Sequence, residues 1–198
     1  MMTTLSREET LLRMAAHSIL HGLSTRRTIN TENLEMPAEF RAPGACFVTL
    51  LSNGQLRGCI GSAEARRSLG EDLLLNAHNS AFNDIRFPRL RDNEIEGLEI
   101  ELSILTTPKP LLASSEDELV AKLRPGVDGL IIEHHGCRAL FLPSVWDSLP
   151  RSREFVNNLK RKAGIPSGPL KRGFSAWRFE TEKICSRDLP DPESLWED

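Results

Sequence analysis

The stretch Cys46-Phe47-Val48-Thr49-Leu50-Leu51-Ser52-Asn53-Gly54-Gln55-Leu56-Arg57-Gly58-Cys59-Ile60-Gly61 decides the fold. Two apolar runs, Cys46 to Leu51 and Leu56 to Ile60, flank Ser52-Asn53-Gly54-Gln55. Asn-Gly accepts the positive φ angles of a type I′ turn, so the two runs read as an antiparallel hairpin. A two-residue loop sets Ser52 opposite Gln55, Leu50 opposite Arg57 and Val48 opposite Cys59. Side chains alternate along a strand, which puts Arg57, Cys59 and Gly61 on one face and Leu56, Gly58 and Ile60 on the other.

Helices are expected on both sides of this hairpin. Ser6 and Glu9 form a capping box before Leu12, Ala15, Ala16, Ile19, Leu20 and Leu23, which repeat at helical spacing. Ser24 to Gly44 is a polar loop with room for one helical turn near Glu39 to Arg41. Ser68 and Glu71 cap a second helix through Leu73, Ala77 and Ala81, ending near Asp84 because Phe87 precedes a proline. Leu98, Ile100, Leu102 and Ile104 alternate with Glu99, Glu101 and Ser103, the pattern of a half-buried strand.

The order then recurs. Ser115 and Glu118 cap a helix, a hairpin turns at His135-Gly136, a helix from Ser152 ends at Gly164, and Phe174 to Glu182 forms a last strand. The expected fold class is therefore α+β, with antiparallel β-sheets and flanking helices. The expected organisation is one domain over 1–187, in two lobes (1–106 and 107–187) that repeat helix, hairpin, helix and strand. Residues 188–198, with five acids and no base, read as an acidic tail.

The 198 residues carry 25 basic and 28 acidic side chains, a net charge of −3. That balance argues against a strongly basic nucleic-acid binder and against wholesale disorder. No apolar run reaches the roughly 20 residues of a membrane span, and the N-terminus lacks the shape of a signal peptide. The cysteines, at 46, 59, 137 and 185, never form C-x-x-C. A cytoplasmic protein without a disulfide framework is expected, and no motif calls for a cofactor or a metal. Residues 151–173 hold seven bases and one acid, Glu154. They are a candidate surface for RNA or an acidic partner, or else a solvated helix face.

Leu56-Arg57-Gly58-Cys59-Ile60-Gly61 is the most unusual stretch. Two glycines in a strand call for a bulge or for close approach by a ligand or by backbone. On the expected register Cys59 lies between a guanidinium and a bare glycine. A nearby cation favours thiolate, and a missing side chain leaves room for a substrate. The alternative is a small residue in the core. Asp84 and Arg86 follow the second helix and could bind and orient an anion beside Cys59, or simply fix a turn. His78 would complete a Cys–His pair, but reads better as a helix-surface histidine.

These residues also carry a resemblance. Leu-Arg-Gly-Cys-Ile-Gly at 56–61 looks like the signature of the AMMECR domain family, the A component of the AmmeMemoRadiSam system. Phe47-Val48-Thr49-Leu50 precedes it as in that family. Asp84 to Leu90 resembles D-x-R-F-P-P-L, with Arg89 in place of the second proline. Ser103-Ile104-Leu105-Thr106, Gly126 to Ile132, Arg138 to Val145 and Lys162-Ala163-Gly164 match further family stretches in order. The resemblance implies a cytosolic α+β protein of two subdomains, with a cleft between them and partners that are Memo-like and radical SAM proteins. It names no reaction. The resulting candidates are Cys59 as nucleophile or acceptor, Arg57 and Arg86 as anion stabilisers, and Asp84 to orient Arg86. Gly58, Gly61, Phe87 and Arg138, all in matched stretches, are candidate binding residues.

Overall fold

A computed structural model of the chain describes residues 5–31, 34–166, 168–170 and 173–197. The chain divides into two units, residues 1–104 with 182–198, and residues 105–181.

The first unit begins with α1 (Arg7–Thr25), whose Ser6 hydroxyl accepts the Glu9 N–H. The Glu9 carboxylate turns to Arg13 instead of closing the capping box. The long loop that follows contains a 3-10 turn at Ala38–Phe40, which buries Phe40, and then β1 (Pro43–Gly44). The hairpin is β2 (Cys46–Ser52) and β3 (Gln55–Gly61). Its turn residues Asn53 (φ 51°) and Gly54 (φ 72°) are both left-handed. After β4 (Arg67–Ser68) comes α2 (Leu69–Phe82), with the full Ser68–Glu71 capping box. The strand β5 (Leu98–Leu105) alternates strictly between buried and half-buried positions.

The hairpin register departs from expectation by one residue. Ser52 opposes Gln55 and Leu51 opposes Leu56, but Leu50 opposes Gly58, Thr49 opposes Cys59 and Phe47 opposes Gly61. Arg57 is the extra residue of a β-bulge. Beyond the bulge, Gly58 and Ile60 share the core side with Leu50 and Val48, while Cys59 and Gly61 share the other side with Thr49 and Phe47. Arg57 therefore leaves the face it was expected to share with Cys59. Its buried guanidinium grips Glu94 through two bonds, at 2.7 and 3.1 Å.

Packing explains both glycines. A Cβ on Gly58 would stand 2.1 Å from the Ser80 carbonyl oxygen, and one on Gly61 would stand 2.2 Å from the Phe47 ring. Gly58 lets α2 lie directly on β3, and Gly61 is covered by an aromatic side chain. The room expected there for a substrate is filled by Phe47. Ser80 uses the close approach: its hydroxyl donates to the Val48 carbonyl at 2.7 Å and accepts the Ile60 N–H at 2.9 Å, bridging the two strands.

The two helices run side by side in the same direction. Met14 lies by Gly70, the Ser18 hydroxyl donates to the Leu74 carbonyl, and Gly22 touches His78 and Phe82. His78 is consequently buried in the helix pair, with Phe82 4.8 Å away, and not on the surface as expected. It occupies a different side of α2 from Ser80, so it does not meet Cys59.

The second unit comprises β6 (Lys109–Pro110), α3 (Glu116–Lys122), β7 (Gly129–His134), β8 (Cys137–Phe141), α4 (Ser152–Ala163) and β9 (Ser175–Phe179). Its sheet order is β6-β9-β7-β8. The turn at His135-Gly136 is left-handed at both residues, and Gly164 (φ 72°) ends α4. Trp146 stacks on Phe155 at 3.8 Å in the core. The expected strand from Phe174 to Glu182 is split. At Glu180 the peptide bonds to Thr106, and β10 (Thr181–Cys185) joins the first sheet, in the order β10-β5-β2-β3.

The last residues also depart from the expected tail. Leu195 is buried in the first core, with Leu189 and Trp196 packed against it. Their apolar area outweighs the neighbouring acids, which stay at the surface.

A methyl group at position 58 collides with backbone, which cannot swing aside. Gly58→Ala is expected to destabilise the protein by about 2–3 kcal/mol, as overpacking does. A lower urea midpoint with an unchanged slope is the measurement that shows it.

Candidate functional site

Cys59 sits in the middle of β3, half-buried, with its thiol unpaired. Three side chains hold it. The Thr49 hydroxyl lies 3.2 Å from Sγ. Asp84 accepts the Cys59 N–H at 2.9 Å, and Arg86 donates through Nη2 to the Cys59 carbonyl at 3.1 Å. Asp84 and Arg86 in turn grip each other, through Nε at 2.9 Å and Nη2 at 2.6 Å. The Arg86 N–H closes the turn onto Asp84 at 3.1 Å. This clamp forms because α2 ends at Phe82 and the chain bends back at once towards Pro88.

Asp84 is buried, yet four donors surround it. The Arg86 guanidinium, aided by the N–H groups of Cys59 and Arg86, holds its carboxyl well below the usual carboxylate range, although burial acts the other way. Asp84 in turn raises the affinity of Arg86 for its proton. The Arg86 side chain remains 53% exposed. No hydrogen bond uses its Nη1 among the described residues. Ile85, between the two, is fully exposed, and Phe87 is half-buried beneath the Arg86 guanidinium at 5.5 Å.

The candidate residues thus separate. Cys59, Asp84 and Arg86 meet, and Phe87 joins them through Arg86. Arg57 is drawn off by Glu94, which it holds below the ordinary carboxylate range. Its Nη1 is buried without a partner among the described residues. Gly58 and Gly61 serve packing. Arg138 belongs to the second unit, where it pairs with Glu133 at 3.0 Å and lies over the Trp177 ring at 5.2 Å. Sequence reasoning missed Thr49, Ser80 and Glu94. Thr49 is the cross-strand partner of Cys59 once the bulge is known. Ser80 and Glu94 carry no pattern that sets them apart from ordinary surface residues.

Of the other thiols, Cys137 is half-buried at the start of β8, while Cys46 and Cys185 are buried. Burial and the nearby Asp72 carboxylate push the Cys46 thiol far up. Burial and Glu101 raise that of Cys185. Asp72 itself is buried and accepts the Cys46 N–H, the Ser62 hydroxyl and the Asn76 amide, which pins the start of α2 to the hairpin.

The family model described as AMMECR1 matches residues 12–184. The chain belongs to the AMMECR1 family. A protein of Methanothermobacter thermautotrophicus is 37% identical over 169 residues, covering 82% of this chain and 85% of that one. A protein of Thermofilum pendens is 32% identical and covers 91% of both. The crystal structure of the uncharacterized protein PH0010 from Pyrococcus horikoshii superimposes on this AMMECR1-family chain with a TM-score of 0.78. The identity is 31%, and 89% of each chain is covered. Among the described residues, no helix is long and apolar enough to cross a membrane.

The clamp has a pH signature. Asp84 is more acidic in the folded chain than in the unfolded one, so acid protonates the unfolded chain first. Its stabilisation is present above the ordinary carboxylate range, near pH 4, and is lost as the pH falls towards the lower folded value. Asp84→Asn is expected to cost about 2 kcal/mol at neutral pH and to flatten the acid limb of stability against pH. Urea unfolding at neutral and acid pH reads both effects.

Proposed function

We propose that this AMMECR1-family protein is a cytoplasmic thiol-dependent enzyme, or the thiol-bearing subunit of one, with Cys59 as nucleophile or acceptor. The observation that carries the reading is the holding of Cys59. Its backbone is fixed on both sides by Asp84 and Arg86 while its half-buried Sγ faces a hydroxyl donor. Fixed geometry matters for a nucleophile, because attack requires a defined approach. Arg86 supports the reading further. With Nε and Nη2 committed to Asp84 and the Cys59 carbonyl, its free Nη1 is available to an anionic group next to the thiol. Asp84 acts as a positioning residue for Arg86. The resemblance to the AmmeMemoRadiSam system supports Memo-like and radical SAM proteins as partners.

A binding module built on 151–173 draws less support. Lys160 is buried on Glu116 at 2.7 Å, Arg151 pairs with Glu154, and Arg153 pairs with Asp117. The Lys162 ammonium caps the Leu140 carbonyl at 3.0 Å. Lys171 and Arg172 lie outside the described residues. Of the segment's described bases only Lys160 is buried, and the Arg151 and Arg153 charges are each offset by an acid at the surface.

Limited alkylation followed by peptide mapping tests the proposal. Cys59 is expected to react first and at neutral pH, well ahead of Cys46 and Cys185, and Arg86→Gln is expected to slow it. Reaction of Cys59 no faster than that of an unstructured thiol overturns it.

A further inference from the structure

Because α1 and α2 run in the same direction, their C-terminal ends lie together. Each end carries roughly half a negative charge in its unsatisfied carbonyls. A hollow of about 420 Å³ opens there, lined by Leu23, Arg26, Pro88, Arg89, Arg91 and Asp92 among others. Arg26 is the left-handed cap of α1 (φ 60°). Arg89 reaches the Phe82 carbonyl at the end of α2 at 3.4 Å and lies 5.2 Å over the Phe82 ring. Arg91 follows two residues later.

Helix ends account for a cation at each C-terminus. They do not account for three guanidiniums around one hollow. None of the three meets a carboxylate within ion-pair distance among the described residues. Glu94, three residues after Arg91 and acceptor of its N–H, has its charge met by the Arg57 guanidinium. Three positive charges set against Asp92 and two half-charges leave about one positive charge over. Arg26, Arg89 and Arg91 are all exposed; Arg89 is already held over the wall of the hollow by Phe82, and the forks of Arg26 and Arg91 are free to turn inward. Leu23 and Pro88 add apolar wall beside them.

We infer that this hollow binds a small phosphate monoester, its phosphate held by Arg26, Arg89 and Arg91 and its apolar part laid on Leu23 and Pro88. Guanidinium forks match phosphate oxygens in pairs, which favours phosphate over a spherical anion. The volume falls in the range of small-ligand sites. Asp92, on the same wall, is placed to accept from a ligand hydroxyl. The site is separate from the Cys59 clamp and stands whether or not that thiol is reactive.

Calorimetric titration of the whole chain with phenyl phosphate, inorganic phosphate and phenol tests the inference. Phenyl phosphate is expected to saturate at millimolar concentration or below. Inorganic phosphate is expected to bind more weakly and phenol not at all. Arg89→Gln is expected to weaken phenyl phosphate by about tenfold, the scale of one lost charged hydrogen bond. Arg89 also caps α2, so Arg91→Gln provides a second reading at an exposed side chain that caps neither α1 nor α2, and is expected to weaken binding likewise. Arg66→Gln, whose side chain is 77% exposed elsewhere on the unit, is expected to leave it unchanged. No saturable binding of phenyl phosphate overturns the site. So does equal weakening by Arg66→Gln, or a single-stranded oligonucleotide bound more tightly per phosphate than phenyl phosphate.

Discussion

The carbonyl of Ser80 lies where any side chain at position 58 would have to begin, and that contact governs the first unit. It brings α2 so close to the hairpin that the helix supplies hydrogen bonds the strands would otherwise make for themselves. Ser80 bridges Ile60 and Val48. One turn further on, Asp84 takes the Cys59 N–H. At the opposite end of the helix Asp72 takes the Cys46 N–H. Three residues of one helix and its following turn thereby determine where the backbone of the hairpin runs, and the orientation of Cys59 follows from them.

Charge is handled in the same economical way. Buried acids in both units are met by several donors each. Asp84 has Arg86 and two peptide N–H groups, and Glu116 in the second unit has Lys160 and the Leu170 N–H. Such groups are stabilising only while every partner is present, because a lone buried charge is very costly. The exposed arginines at the ends of α1 and α2 stand outside that scheme, which is why they read as waiting for something.

Much of this was legible in the residues. Asn53-Gly54 announces its turn, Ser68 and Glu71 announce their helix, and the alternation from Leu98 to Ile104 announces a strand, because each is a local preference acting over a few residues. The bulge was not legible. Inserting one residue changes no composition, and what holds Arg57 out of line is Glu94, 37 positions away. The glycines were recognised as places of close approach, but whether ligand, ring or helix approaches is decided by packing from elsewhere in the chain. The acids after Asp188 concealed Leu189, Leu195 and Trp196, whose burial depends on a core already built. For the candidate site, Cys59, Asp84 and Arg86 could be picked out as a group. Thr49 could not, since it reaches the thiol only through the shifted register.

The same clamp has a bearing on how the molecule behaves towards its own kind. The strand carrying Cys59 is the last in its sheet. An outermost strand offers unpaired peptide groups to any extended chain that drifts past, and is a common starting point for aggregation. Here a carboxylate and a guanidinium already occupy the N–H and C=O at its midpoint, in the places a neighbouring strand would use. The Asp84–Arg86 pair closes that border to strand addition by other chains, so the sealing of the sheet edge and the presentation of the thiol depend on the same two side chains.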